Sequence, residues 1–492
     1  MSSHFLHDFL HPKSIAFYGA NNKGGGIASL QIMNLILSGF KGNIYPIHLK
    51  DPQIMGFKVY KSIAEVPEVP DLVIIVLPPQ IVPKIFTECG EKGVKHLIVV
   101  SGGFREMSGD KKNTLTDEVC KIANDYGMRF IGPNCLGFYN NWIYPNDNSS
   151  AFNTSIWEIL KRGSFSIASQ SGTLSSHIWF DPENLDLGLS KSLSIGNEAN
   201  IDIVDCLEYF KDDDTTQVIG IYIEEIKRGK RFLELAKDIT KKKPLIAIYV
   251  GGSKASKRAA MSHTGAIAGN YKIYDAAFKE TGIIKTELVE EFLDLARLLS
   301  DGIYPKGKRI GIITNSGGPG AMLANRAEKE GLIVPEFSRE LQEKLRKATS
   351  PTASVSNPLD STFDMNLYNY YVNLPKILME SGEIDIIIMY GVFGFQDVLA
   401  KYIKNEQIAK FAEFDNSTSD SKQPLEKILI SPIIKASKEY SIPIVYINPQ
   451  NYSSPWSRKI RESGAVLFQL WDRPIRCIAK LCDYAEYRRK IS

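Results

Sequence analysis

SIAFYGANNKGGGIA (residues 14–28) begins as a short apolar run, stops at Gly19-Ala20, and passes through two asparagines, a lysine and three glycines into a helical pattern. A buried strand that turns through small residues into a helix is the opening of a parallel βαβ unit. The same signature recurs outward from this point. NIYPIHLK (43–50), DLVIIVLPP (71–79), HLIVVSGGF (96–104) and MRFIGPN (128–134) follow, with helical stretches such as 27–38 and 110–126 between them. This is the pattern of a doubly wound α/β domain.

A second set starts at SFSIASQSG (164–172) and continues through SKSLSIGNE (190–198), QVIGIYIEE (217–225) and PLIAIYVGG (244–252) to a helical stretch at 287–300. DGIYPKGK (301–308) has the Gly, Pro and Lys content of a linker. After it RIGIITNSGGPG (309–320), EIDIIIMYGVF (383–393) and IPIVYINPQ (442–450) begin the pattern a third time. The expectation is therefore α/β throughout, with three doubly wound domains at 1–133, 134–304 and 305–492. The polar, breaker-rich segment 413–427 reads as an exposed loop.

At 492 residues the chain is too long for one core, and 43% hydrophobic with 23% charged residues is ordinary globular composition. Its 59 basic and 56 acidic side chains give a net charge of +3, so no global field favours nucleic acid or an anionic membrane. Neither a leader pattern nor a long apolar span is present, which places the protein in the cytoplasm. The six cysteines are scattered without C-x-x-C spacing, fitting reduced thiols rather than disulfides or zinc.

The first turn is not of the ordinary NAD kind. A dinucleotide site wants G-x-G-x-x-G and a carboxylate about 20 residues on, whereas this turn reads Gly19-Ala20-Asn21-Asn22 and the second strand ends in His48-Leu49-Lys50. A cation at Lys50 suits a phosphorylated ribose, a description that NADP and coenzyme A both meet. Pro78 in LPPQ, Gly102 in SGGF and Asn134 in GPNCLG (132–137) end later strands and would line the same crevice.

In the second set SQSGTL (169–174) places Ser171, Gly172 and Thr173 where a strand opens into a helix, an arrangement that serves either as an anion cradle or as a plain helix cap. Of seven histidines, His263 stands apart, in the Gly-, Ala- and Ser-rich stretch GGSKASKRAAMSHTGAIAG (251–269). Such a long small-featured connection favours function over core packing, and no second ligand lies at metal spacing, so no metal site is expected. Covalent or acid–base work by the imidazole remains. Glu224 and Glu225 end a strand where one could orient that ring; the alternative is an exposed pair in the basic loop with Lys227, Arg228 and Lys230.

Taken together, these stretches resemble the alpha subunit of the ADP-forming (NDP-forming) acetyl-CoA synthetase family, a branch of the succinyl-CoA synthetase superfamily. The resemblance runs from about Ser14 to the C-terminus and rests on the order of SIAFYGA, GFKGNIYPI (39–47), GPNCLG, SQSGTL, SIGNEANID (194–202), YIEEIKRG (222–229), the SHTG block (262–283) and ITNSGGPG (313–320). It implies a Rossmann-like CoA-binding domain followed by two flavodoxin-like ligase domains. It assigns CoA to Gly19, Ala20, Lys50, Pro78, Gly102 and Asn134, the phosphorylated histidine to His263, the orienting carboxylate to Glu224, and the phosphate loop to Ser171, Gly172 and Thr173. No P-loop and no ATP-grasp domain is found, so the resemblance implies a separate ATP-grasp beta subunit carrying ADP or ATP and Mg2+, in an alpha2beta2-type assembly acting on a small carboxylic acid. A non-catalytic CoA-sensing homologue is the alternative.

Overall fold

The computed structural model describes residues 4–104, 111–157, 161–176, 187–255, 258, 270–362, 366–391, 402, 404–411 and 429–491. The expected loop at 413–427, and His263 with most of the connection around it, lie outside the described residues. The chain forms two compact units, Met1–Ala296 and Arg297–Ser492.

The first unit holds two sheets. The first joins β1 (Ser14–Tyr18), β2 (Asn43–Ile47), β5 (Leu72–Ile75), β6 (His96–Val99) and β7 (Arg129–Ile131) in the order β2-β1-β5-β6-β7, every pair parallel. A hairpin, β3 (Gln53–Ile54) with β4 (Phe57–Lys58), follows β2. Beyond it Tyr60 makes a single parallel bridge with Ile47, its N–H donating to the Pro46 carbonyl and its own carbonyl accepting from His48 N–H, both at 3.0 Å. With that stub counted as a strand, the order is the 3-2-1-4-5-6 of the dinucleotide-binding folds.

The second sheet contains β8 (Phe138–Asn140), β9 (Phe152–Asn153), β10 (Arg162–Ser169), β11 (Leu189–Ser194), β12 (Val218–Ile223), β13 (Leu245–Tyr249) and β14 (Ile284–Thr286). Its order is β14-β13-β12-β10-β11-β8-β9, and the part from β10 to β14 is parallel with the flavodoxin order. Unlike the sequence expectation, one edge is antiparallel. The chain leaving β7 runs straight into β8, which pairs with β11 in reverse, so GPNCLG bridges the two sheets. One apolar cluster accordingly contains Phe17 and Ile98 of the first sheet and Ile221 and Ala247 of the second.

The second unit carries β15 (Ile310–Thr314), β16 (Leu359–Asp360), β17 (Ile386–Tyr390), β18 (Ile444–Ile447) and β19 (Val466–Phe468), ordered β16-β15-β17-β18-β19 and all parallel. Central strands are buried along their whole length, as in LIAIY of β13 and IIIMY of β17. That is why they read as continuous apolar runs, each fully buried Ile or Leu contributing about 1.5–3 kcal/mol of transfer free energy. The covering helices are amphipathic by contrast: Gly229–Lys242 buries Phe232, Leu235, Ala236 and Ile239, one stripe at helical spacing.

Candidate active site

In a doubly wound sheet, ligands gather where neighbouring strands send their crossovers to opposite faces. In the first sheet that point lies between β1 and β5. Gly19 ends β1 with φ +95°, and a Cβ there would run into the Val76 carbonyl oxygen, so only glycine lets the two strand ends approach. Ala20 is buried behind it. Asn21 then locks the turn: its N–H donates to Ser29 Oγ at 3.0 Å, Ser29 Oγ donates back to its carbonyl at 2.8 Å, and its side chain accepts from Lys23 N–H at 2.9 Å.

The helix Ile27–Leu37 starts at Gly26 without a side-chain cap, and the places beside Gly24 and Gly25 are open. Its first N–H groups therefore lie at the positive end of the helix dipole without a side-chain cap. Lys50, exposed beyond the end of β2, lies at the same carboxyl edge. Along that edge Ser101 Oγ accepts from Leu77 N–H at 3.0 Å and donates to the Leu77 carbonyl at 2.5 Å, fixing the turn before exposed Pro78. Asn134, at φ +60°, donates its N–H to the Ser101 carbonyl at 3.0 Å, and its Oδ1 lies 3.4 Å from where a Cβ on Gly102 would be. Gly19, Ala20, Pro78, Gly102 and Asn134 thus follow four neighbouring strands at one edge.

The switch point of the second sheet lies between β10 and β12. Their parallel register pairs Ser169 with Tyr222, which sets Gln170 beside Glu224 although 54 residues separate them. The Gln170 side chain is buried; its Oε1 accepts from Glu224 N–H at 2.5 Å and Glu225 N–H at 3.1 Å, and its Nε2 donates to the Glu225 carbonyl at 2.6 Å. Glu224 is itself buried, with Tyr222 OH 3.5 Å from its Oε1, while Glu225 is half-buried. Ser169 Oγ accepts from Ser171 N–H at 3.1 Å and donates to the Ser171 carbonyl at 2.7 Å, closing the turn ahead of Gly172. A methyl group on Gly172 would come within 2.8 Å of Leu136 Cγ, and Thr173 is exposed at the start of the helix.

Two exposed basic residues of this loop, Lys227 and Arg228, are nonetheless bonded back onto the fold. Lys227 Nζ donates to the carbonyls of Asn197 and Glu198 at 2.9 and 2.6 Å. Arg228 grips Asp202 through Nε at 2.7 Å and through a second, shorter bond, and reaches Asp205 at 2.8 Å. YIEEIKRG is thereby clamped onto SIGNEANID. Burial pushes the Glu198 carboxyl up to about 7 against the pull of Lys227 and Gln170. The two sites also meet: Asn197 N–H and Ala199 N–H donate to the carbonyls of Pro133 and Gly132 at 2.9 and 3.0 Å.

Residues 13–141 match a family described as CoA binding domain, and residues 162–299 match one described as succinyl-CoA ligase like flavodoxin domain. The alpha subunit of acetate–CoA ligase (ADP-forming) II from Pyrococcus furiosus is 38% identical over 380 residues, covering 77% of this chain and 81% of that protein. This chain belongs to the ADP-forming acyl-CoA synthetase family. The acetate–CoA ligase (ADP-forming) of Methanocaldococcus jannaschii is 42% identical over 350 residues, which span 71% of this chain and 48% of that longer protein. Among solved structures, acetyl-coenzyme A synthetase 1 of Ca. Korarchaeum cryptofilum, in complex with phosphate and ADP, is similar with TM-score 0.80 and 27% identity, covering 99% of this chain and 98% of that one.

This synthetase chain is an acid–CoA ligase whose N-terminal domain is of the CoA-binding type. Its Ser171, Gly172 and Glu224 adjoin one switch point, and Thr173 follows them into the helix. Gln170, Glu198 and the Arg228–Asp202 clamp were missed by sequence reasoning. Gln170 stands inside the quoted SQSGTL, and Glu198 and Asp202 inside SIGNEANID, but partners so far apart in sequence leave no local signal. Among the described residues no group of three His, Cys, Asp or Glu is placed to hold a metal ion, and no helix is long and apolar enough to cross a membrane.

Proposed function

We propose that this chain is the CoA-binding, histidine-bearing subunit of a two-subunit acid–CoA ligase, working in the cytoplasm with a separate ATP-grasp beta subunit. The observation that carries the reading is the junction at which Gln170, Glu224 and the Ser171-Gly172 turn abut the GPNCLG end of the CoA-type sheet. In the forward direction phosphate attacks the thioester carbon of acyl-CoA, giving acyl phosphate and the CoA thiol. His263 then attacks phosphorus, and the carboxylic acid departs as carboxylate. The phosphohistidine passes its phosphoryl group to ADP, held with Mg2+ on the partner. A carboxylate at Glu224 would hold one ring N–H and leave the other nitrogen free to attack, while N–H groups around Gly172 and Thr173 would stabilise the transferred charge.

The first crevice fits coenzyme A: the open, uncapped helix start at Gly26 would take the pyrophosphate, and Lys50 the phosphorylated ribose. Three domains, at 1–133, 134–304 and 305–492, divide the work, and an alpha2beta2-type assembly is the proposed oligomer. The test is to mix the chain with an ATP-grasp subunit, labelled ATP and Mg2+, and to look for acid-labile, base-stable label. Label is expected on the wild-type chain and not on His263→Ala. Label surviving in His263→Ala would overturn the assignment, and none in either would favour a CoA-sensing protein.

A further inference from the structure

The Gln170 carboxamide is directed at both ends: its oxygen takes the N–H groups of both Glu224 and Glu225, and its N–H goes to the Glu225 carbonyl. A buried amide with partners on both ends is fixed in orientation, because a flip would set donor against donor. The loop clamped against it is constrained as well. Glu198 adopts φ +52°, a left-handed conformation rare for a residue with a side chain, and its backbone is held there by Lys227 on its carbonyl. One Glu198 oxygen accepts from Ile203 N–H at 2.8 Å, and the other lies 3.9 Å from Lys227 Nζ.

We propose that Gln170 is a positioning residue for the ligase reaction, its carboxamide fixing the main chain that presents Glu224 by bonding the Glu224 and Glu225 N–H groups and the Glu225 carbonyl. The Gln170 side chain need not touch a reacting atom. The inference rests on the reading of Glu224 as the carboxylate that orients His263. A shift of the Glu224 main chain would move its carboxylate relative to the imidazole, and misplacement of about 1 Å in such a group costs on the order of 100-fold in rate.

The experiment uses the full chain with its ATP-grasp partner and measures steady-state kinetics, label transfer to His263 and the folded fraction. Gln170→Met, which keeps the length of the side chain and removes its three hydrogen bonds, is expected to lower kcat about 10- to 100-fold, with KM for CoA and acid nearly unchanged. Gln170→Glu keeps an acceptor facing the Glu224 and Glu225 N–H groups but sets its second oxygen against the Glu225 carbonyl, and should lower kcat less than Gln170→Met. Wild-type kcat in Gln170→Met would overturn the proposal. Should Gln170→Met not fold, Gln170→Glu decides alone: a lowered kcat with KM nearly unchanged is expected, and wild-type kcat would overturn the proposal. Absence of label on His263 in the wild-type complex would instead sink the reading of the function, and this inference with it.

Discussion

Glu198 is a carboxyl group that folding makes harder to ionise. Its pKa rises from 4.5 to about 7, chiefly through burial, with Lys227 and Gln170 opposing and the charge of Asp202 adding to the rise. Between those values the folded chain keeps a proton that the unfolded chain has released, so this group's contribution is full below pH 4.5 and is lost as pH rises through about 7. The loss amounts to about 3 kcal/mol for a shift of this size. Urea melts of wild type and Glu198→Gln from pH 4 to pH 8 should show the wild type losing ground to the variant by that order; a constant difference would refute it. Glu224 was visible in the sequence because it ends an apolar strand. Gln170 and Glu198 were not, since a buried glutamine and a turn glutamate look like surface residues until their partners are known.

At the scale of elements, the helix Ile203–Asp212 ties the site together. Asp202 is its N-cap, accepting from Val204 and Asp205 N–H groups, and the Asp205 side chain returns a bond to Asp202 N–H, a complete capping box. Burial works against ionisation of Asp202, yet the Arg228 guanidinium and these N–H groups hold its carboxyl below the usual range. Asp202→Ala removes the cap, worth about 1 kcal/mol, and leaves Arg228 of the YIEEIKRG loop without its main partner. Thermal melting should show at least that loss, with Glu224-dependent phosphorylation of His263 falling alongside. Lys237→Ala, which breaks the exposed Lys237–Glu280 pair at 2.6 Å, should change stability by no more than about 0.5 kcal/mol. Equal effects for the two variants would refute the assignment of the clamp. Helices and strands were legible from periodicity, whereas the antiparallel pairing of β8 was not: three residues carry no pattern that says which sheet they join.

For the whole molecule, the proposed division of labour makes a direct binding prediction. Calorimetric titration of the chain alone should give saturable heat with coenzyme A and none with ADP and Mg2+, while acyl-CoA synthesis should appear only on adding the ATP-grasp subunit. ADP binding to the chain alone would refute the division. The repeated strand–turn–helix signal was enough to read the α/β class and the parallel strands of three sheets, though not the antiparallel edge of the second, because strands buried on both faces must be apolar along their length. The small-residue connection and the strand ends also marked His263, Glu224 and the SQSGTL turn as candidates, of which His263 lies outside the described residues. Which of these ends become neighbours depends on strand order and register. Only the pairing of β10 with β12 puts Gln170 against Glu224, and only the passage of β8 into the second sheet brings the CoA-type crevice against that junction. Those contacts join residues tens of positions apart, and the cooperative packing of the sheets selects them where local sequence preference cannot.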